Sequence, residues 1–144
     1  MFITEITERA IISAMGGLNV TFRAGRVDDD DAAPTERKKY PCMTIIASSS
    51  KATTESLFSQ VVCAVTLTTH YTDDPKRTVL AGLEDEFRTI LDVGIKAKWD
   101  AVAAAAGETR YYKGLTEIDG GRVELFDSKE QSITTTMKIH TCGS

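Results

Sequence analysis

The stretch from Gln60 to Leu91 constrains the fold more than any other, because it reads as a strand, a stop and a helix in direct succession. Along it, Val61, Cys63, Val65, Leu67, Thr69 and Tyr71 alternate with Val62, Ala64, Thr66, Thr68 and His70. A period of two, dense in β-branched residues, predicts a half-buried strand. Thr72-Asp73-Asp74-Pro75 then stops it. An aspartate before a proline predicts a carboxylate at a helix N-cap and Pro at the first helical position, where its missing N–H costs nothing. Val79, Leu80, Leu83, Phe87, Ile90 and Leu91 follow at helical spacing, with Glu84, Asp85 and Arg88 on other faces. A strand feeding a helix that packs back on the sheet is a fold nucleus, and it carries no chemistry of its own.

The 144 residues suffice for one domain that buries roughly 70% of its unfolded surface. The 42% hydrophobic and 26% charged fractions place the chain among ordinary globular proteins. A net charge of −4 argues against a general basic surface for nucleic acid. No apolar run reaches the ~20 residues that span a bilayer, so no membrane role is expected. Glu5 and Glu8 in the first turns exclude the basic start of a signal peptide, and a cytosolic chain is expected. In that setting the odd count of three cysteines, Cys42, Cys63 and Cys142, predicts reduced, structural thiols.

Around this nucleus, Phe2 to Met15 reads as a helix with Thr4 as N-cap and Gly16-Gly17 as its end. Leu18, Val20 and Phe22 mark a short strand. From Ala24 to Lys39 the pattern gives way to a long polar loop holding Asp28, Asp29, Asp30, Asp31, Pro34 and the basic cluster Arg37, Lys38, Lys39. Four adjacent aspartates repel without sharing one centre, whereas a calcium loop spaces its acids at alternate positions around a glycine, so the run reads as a solvated loop. Tyr40-Pro41 opens a strand over Cys42–Ala47. The Ser/Thr-rich segment Ser48–Ser59 reads as a long hairpin connection or projecting arm. Its apolar pair Leu57-Phe58 either tucks back on its own sheet or docks on a neighbour.

Beyond the central helix, a stop is expected near Asp92-Val93-Gly94. A second helix through Ile95, Trp99, Val102, Ala103 and Ala106 should follow, with a strand through Ile95, Ala97 and Trp99 as the weaker alternative. Tyr111, Tyr112, Leu115 and Ile118 suggest an extended segment, and Asp119, Gly120 and Gly121 signal a turn before Val123, Leu125 and Phe126. The closing strand alternates Ile133, Thr135, Met137, Ile139 and Thr141 with Thr134, Thr136, Lys138 and His140. The fold class predicted is α+β: a single domain with a central, mostly antiparallel sheet, an N-terminal helix and two further helices on one side.

Tests for chemistry return structural answers. His70 and His140 lie on the more polar faces of their strands, without His-x-His or His-Glu-x-x-His spacing. No Gly-x-Ser-x-Gly elbow occurs, and the helix at Pro75 is preceded by two aspartates that would repel phosphate. Glu84 with Asp85, and Asp29 with Asp31, sit on a helix exterior and a loop, away from any apolar pocket that would raise a carboxylate pKa. Trp99, Tyr111 and Tyr112 lack the interleaved basic residues of a base-stacking platform. The residues therefore lead to a non-enzyme with no metal and no cofactor.

The order of these elements is informative as a whole. A helix and short strand lead to a polar loop, then to Tyr40-Pro41-Cys42-Met43-Thr44-Ile45, a Ser/Thr-rich connection, the long strand Val61–Tyr71, and Thr72-Asp73-Asp74 into an amphipathic helix. A further helix and Thr134-Thr135-Thr136-Met137-Lys138-Ile139 close the chain. This arrangement resembles the tail terminator proteins (also called tail completion or minor tail proteins) of long-tailed bacteriophages, the phage-lambda type included. The resemblance covers nearly the whole chain and rests on arrangement and length. It implies a virion protein, assembled in the host cytoplasm, whose six copies form a homo-hexameric ring at the head-proximal end of the tail. That ring would stop polymerisation of the tail tube protein, meet the head–tail connector or stopper, and let DNA pass through its lumen without specific binding. The family offers no catalytic residue. The contacts implied for this chain fall on loops and edges: Asp28–Asp31, Arg37–Lys39, Leu57, Phe58 and Asp119–Gly121. Two alternatives stay open: another connector-like or tube-like ring protein, and a cytosolic small-ligand-binding domain.

Overall fold

The computed structural model describes residues 3–24, 40–49, 58–70, 72–126 and 130–143, with the backbone alone at 23, 24, 49, 58, 59 and 117–126. Two helices lie against one five-stranded mixed sheet, as the α+β expectation required. The elements run α1 (Ile3–Ala14), β1 (Thr21–Ala24), β2 (Cys42–Ser49), β3 (Phe58–His70), α2 (Thr78–Ala105), β4 (Tyr111–Phe126) and β5 (Glu130–Cys142). The sheet order is β1-β2-β3-β5-β4, with β1 parallel to β2 and the other pairs antiparallel.

β3 sits at the centre, and its alternation decides the core. Val61, Cys63, Val65 and Leu67 are buried, and across the sheet they meet Ile139, Met137, Thr135 and Ile133 of β5. Met43, Ile45 and Ala47 complete the same face from β2. Helix α1 contributes Ile6, Ala10 and Ile11, and α2 contributes Leu80, Leu83, Phe87, Leu91, Ile95, Trp99 and Ala103. The two helices are tied together where Trp99 Nε1–H donates to Thr7 Oγ1 at 3.1 Å, both side chains being fully buried. Thr7 in turn donates to the carbonyl of Ile3 at 2.8 Å, so the buried indole N–H ends on a satisfied hydroxyl. The edge of β2 beyond the short β1 is not left open: the Ala47 N–H donates to Glu8 Oε1 at 3.1 Å.

Several boundaries differ from the sequence expectation. The stop at Asp92-Val93-Gly94 and the separate second helix are absent, because α2 runs unbroken for 28 residues. Gly94 costs a helix interior about 1 kcal/mol. Burying Ile95 and Trp99 on the stripe begun by Phe87 and Leu91 contributes about 2 kcal/mol or more per side chain, so the helix continues. Asp119-Gly120-Gly121 is no turn but lies within β4, where the register against β5 shifts between Glu117 and Asp119 and again between Asp119 and Arg122. Glycines that suit a turn also suit a bulge, and an edge strand tolerates the extra residues. Thr4 is likewise no N-cap: it lies inside α1, one residue after its start.

Candidate functional site

Where β3 ends and β5 begins, two successive cross-strand pairs point to opposite faces of the sheet. Thr69 pairs with Gln131, and His70 with Glu130. The first pair is buried and builds a polar knot; the second faces away from the helices and builds a clasp.

Asp74 is the centre of the knot. It is 3% exposed, an unusual position for a carboxylate unless its oxygens are fully engaged. They are. Oδ1 accepts the Val79 N–H at 3.0 Å, and Oδ2 accepts the Leu80 N–H at 2.9 Å and the Thr69 hydroxyl at 3.2 Å. The Asp74 carbonyl accepts the Arg77 N–H at 3.1 Å and the Gln131 side-chain amide, which also reaches Thr69 Oγ1 at 3.3 Å. Asp74 thus does the work of an N-cap without occupying that position. The N-cap residue is Arg77, held in the left-handed region at φ 58°. Pro75 precedes the helix instead of opening it, since α2 begins at Thr78. A negative charge against the first N–H groups also opposes the positive end of the helix dipole. The knot is what fixes the direction of α2 over the sheet.

The clasp joins three strands. Tyr40, just before β2, donates its hydroxyl to Glu130 Oε1 at 2.5 Å, and its ring centroid lies 5.3 Å from that of His70, tilted by 57°. His70 Nδ1 accepts the Thr72 N–H at 3.1 Å, which marks Nδ1 as the unprotonated nitrogen of the ring. Nothing in the sequence pointed to Tyr40 and Glu130 as partners, ninety residues apart; only the strand register brings them together.

From the clasp the helix-free face extends across β2, β3 and β5. Next to the clasp its first row, Cys42, Thr68 and Ser132, is buried; the rows beyond are Thr44, Thr66 and Thr134; Ile46, Ala64 and Thr136; and Ser48, Val62 and Lys138. Thr66 and Thr134 share a hydroxyl–hydroxyl contact of 3.0 Å, and Thr116 Oγ1 meets His140 Nε2 at 2.9 Å. Among the described residues no helix covers this surface. Its side chains are short and mostly uncharged, and Ile46 is exposed. The surface suits contact with a flat partner better than capture of a small molecule.

The remaining chemical candidates are separated or sealed. β3 and β5 are neighbours, yet His70 pairs with Glu130 and His140 with Gln60, so the two histidines stand ten residues, roughly 33 Å, apart along the sheet. Among the described residues no group of three His, Cys, Asp or Glu side chains could hold a metal. All three cysteines are free and buried. Burial, with the nearby charge of Glu8 adding to it, pushes the Cys63 thiol up to about 12, so it is inert near neutrality. Ser132 Oγ is buried without a hydrogen-bond partner among the described residues, out of reach of any substrate. At the far end of α2, Asp100 Oδ1 accepts the Tyr112 N–H at 2.9 Å, and burial next to Asp92 raises the Tyr112 phenol.

Of the contact residues expected from sequence, Asp28, Asp29, Asp30, Asp31, Arg37, Lys38, Lys39 and Leu57 lie outside the described residues. The backbone of Phe58 opens β3 opposite Cys142, and that of Asp119, Gly120 and Gly121 runs in the irregular part of β4. These two stretches lie on different strands, separated by β5. No helix among the described residues is long and apolar enough to cross a membrane. Compared with models of known protein families and with curated proteins, the chain matches none.

Proposed function

We propose that the chain is a structural ring component of a long-tailed phage particle, of the tail-terminator kind, with copies of itself, the tail tube protein and the head-side connector as partners. The order of elements carries the family resemblance, and the sheet is the observation that supports it best. A cyclic ring needs two different lateral surfaces on opposite sides of each subunit. Strands β1 and β4 form the two lateral edges of the sheet. Between them lies a helix-free face of Thr, Ser, Ala, Val and Ile side chains, suited to burial against a flat neighbour. In this reading Asp28–Asp31, Arg37–Lys39, Leu57, Phe58 and Asp119–Gly121 supply ring or partner contacts. The net charge of −4 lets DNA slide through the lumen, because carboxylates repel phosphate.

The test is the mass of the purified protein in solution over a concentration series, with negative-stain images of the largest species. Six-membered rings with a central hole are expected, either alone or on tail tubes. A protein that stays monomeric and also fails to bind tube ends overturns the reading. A lumen lined with more Lys and Arg than Asp and Glu removes the electrostatic part of it.

One observation bears on a ligand-binding role. A crevice of about 130 Å³ lies between α2 and the sheet, lined by Arg88, Leu91, Asp92, Leu115, Thr135 and Met137. Ligand sites usually enclose roughly 300 Å³ or more, and this crevice is well below that size.

A further inference from the structure

Opposite its buried stripe, helix α2 exposes two large apolar side chains, Val79 and Val93, among polar and small ones. Taken at 100° per residue, Val79, Gly82, Glu86, Thr89, Ile90, Val93, Lys96, Ala97, Asp100 and Ala104 share its outer side. Val93 is 84% exposed and Val79 45%. Ile90 is half-buried and forms, with Asp85, Glu86 and Thr89, the wall of a shallow open depression one turn before Val93. Gly82 and Ala97 leave room for another backbone to approach closely. The outer side thus offers a knob, a hollow and small flanks on one straight element.

Charge decides what fits there. The first half of this side carries Glu86 with Asp85 beside it, and the second half carries Lys96, which makes a long i,i+4 contact to Asp100 at 3.4 Å. A parallel copy of α2 would set Glu86 beside Glu86 and Lys96 beside Lys96. An antiparallel copy sets Glu86 against the partner's Lys96, twice by symmetry, and brings Val93 opposite the partner's Thr89, into the depression. In the same register Asp100, whose Oδ1 accepts the Tyr112 N–H, comes level with the partner's Gly82, and Val79 comes level with the partner's buried Ala103, beside Ala104. Centring the pair on Val93 itself would put Glu86 against the partner's Asp100, so the offset register is the one that charge permits.

We propose that the outer face of α2 is a self-association surface, on which a second copy of this chain docks antiparallel through α2, with Val93 in the partner's hollow and Glu86–Lys96 pairs on both sides. This contact is two-fold and does not rest on the ring reading: it joins two free copies, or two rings face to face, and cannot itself close a ring. One helix face buries less than the roughly 1,200 Å² of stable interfaces, so the association is weak and concentration-dependent.

Sedimentation equilibrium from about 10 μM to about 1 mM tests it, with circular dichroism of each variant as the fold control. Val93→Asp should halve the mass of the largest wild-type species while leaving the helical signal unchanged, because Val93 contributes nothing to the core. Lys96→Glu should weaken association by about tenfold, since two pairs become two repulsions. Adding Glu86→Lys to Lys96→Glu should restore it to within about threefold, which loss of surface polarity alone would not do. A wild-type chain that stays monomeric at about 1 mM, a mass unchanged by Val93→Asp, or a charge swap that fails to rescue overturns the proposal.

Discussion

The knot at Asp74 and the clasp at Tyr40 are built from consecutive residues of the same two strands, yet one is core and the other surface. Thr69 and Gln131 are buried to within 2% of full burial, whereas His70 and Glu130 stay half-exposed. Side-chain alternation puts the two pairs on opposite faces, and on the clasp's face exposure begins only beyond the buried pair Thr68 and Ser132. The comparison teaches that a polar side chain's worth here follows from the face it occupies. In the knot, water is excluded and every lost partner leaves a donor or acceptor unsatisfied; in the clasp, water replaces what is removed.

The largest effect is expected from Asp74→Ala. It removes the acceptor of two helix N–H groups and of the Thr69 hydroxyl, whose oxygen then keeps only the Gln131 amide. A lost cap costs up to about 2 kcal/mol, and each buried unsatisfied group about 1–3 kcal/mol, so a loss of about 4 kcal/mol is expected in urea unfolding. Asp74→Asn keeps one acceptor oxygen and should recover about half of it. A cost of Asp74→Ala below about 1 kcal/mol would mean that water reaches the knot.

Gln131→Ala comes next. Gln131 caps nothing itself, but its amide donates both to the Asp74 carbonyl and to Thr69 Oγ1. Losing a fully buried side chain of this size should cost about 2 kcal/mol, combining a small cavity with one acceptor left unpaired. Because Gln131 and Asp74 share partners, their double variant should cost less than the sum of the single ones, and additive losses would show that the knot is not one network.

How much of this was legible beforehand divides along the same line. The alternation of Val61–His70 and Ile133–Thr141 was plain in the sequence, because burial on one face leaves a period of two. Asp74 was recognisable as the cap of α2, since an Asp-Pro pair before an apolar stripe has few other uses. Its displacement was not: a carboxylate reaching past a left-handed Arg77 to Val79 and Leu80 depends on backbone geometry that no residue in Pro75-Lys76-Arg77 announces. Gly94 and the Asp119-Gly120-Gly121 run misled for a shared reason. Each is a local breaker overruled by a longer pattern, the i,i+4 stripe Leu91, Ile95, Trp99, Ala103 in one case and continuous pairing with β5 in the other. The clasp was illegible because its members are joined only by strand register. The exposed Val93 was in view throughout, but reading it as part of a helix stop hid its place on the outer face of α2.

The clasp sharpens the comparison from its weak side. Tyr40→Phe deletes one hydroxyl from a half-exposed pair and keeps the ring against His70, so about 0.5–1 kcal/mol is expected, below the usual range for a charged acceptor because water replaces the lost partner. Glu130→Gln keeps an acceptor in place and should cost a few tenths of a kcal/mol. The decisive quantity is their coupling. If the 2.5 Å contact is the main link between β2's entry and β5, the double variant should fall short of the summed losses by a few tenths of a kcal/mol, about what Glu130→Gln costs alone. That is several-fold below the non-additivity expected between Asp74 and Gln131. Equal couplings on the two faces would overturn the argument that burial, and not the residue types, sets what these pairs contribute. A coupling near zero would place the clasp's value in the Tyr40 ring packing on His70, which Tyr40→Leu would then remove while Tyr40→Phe would not.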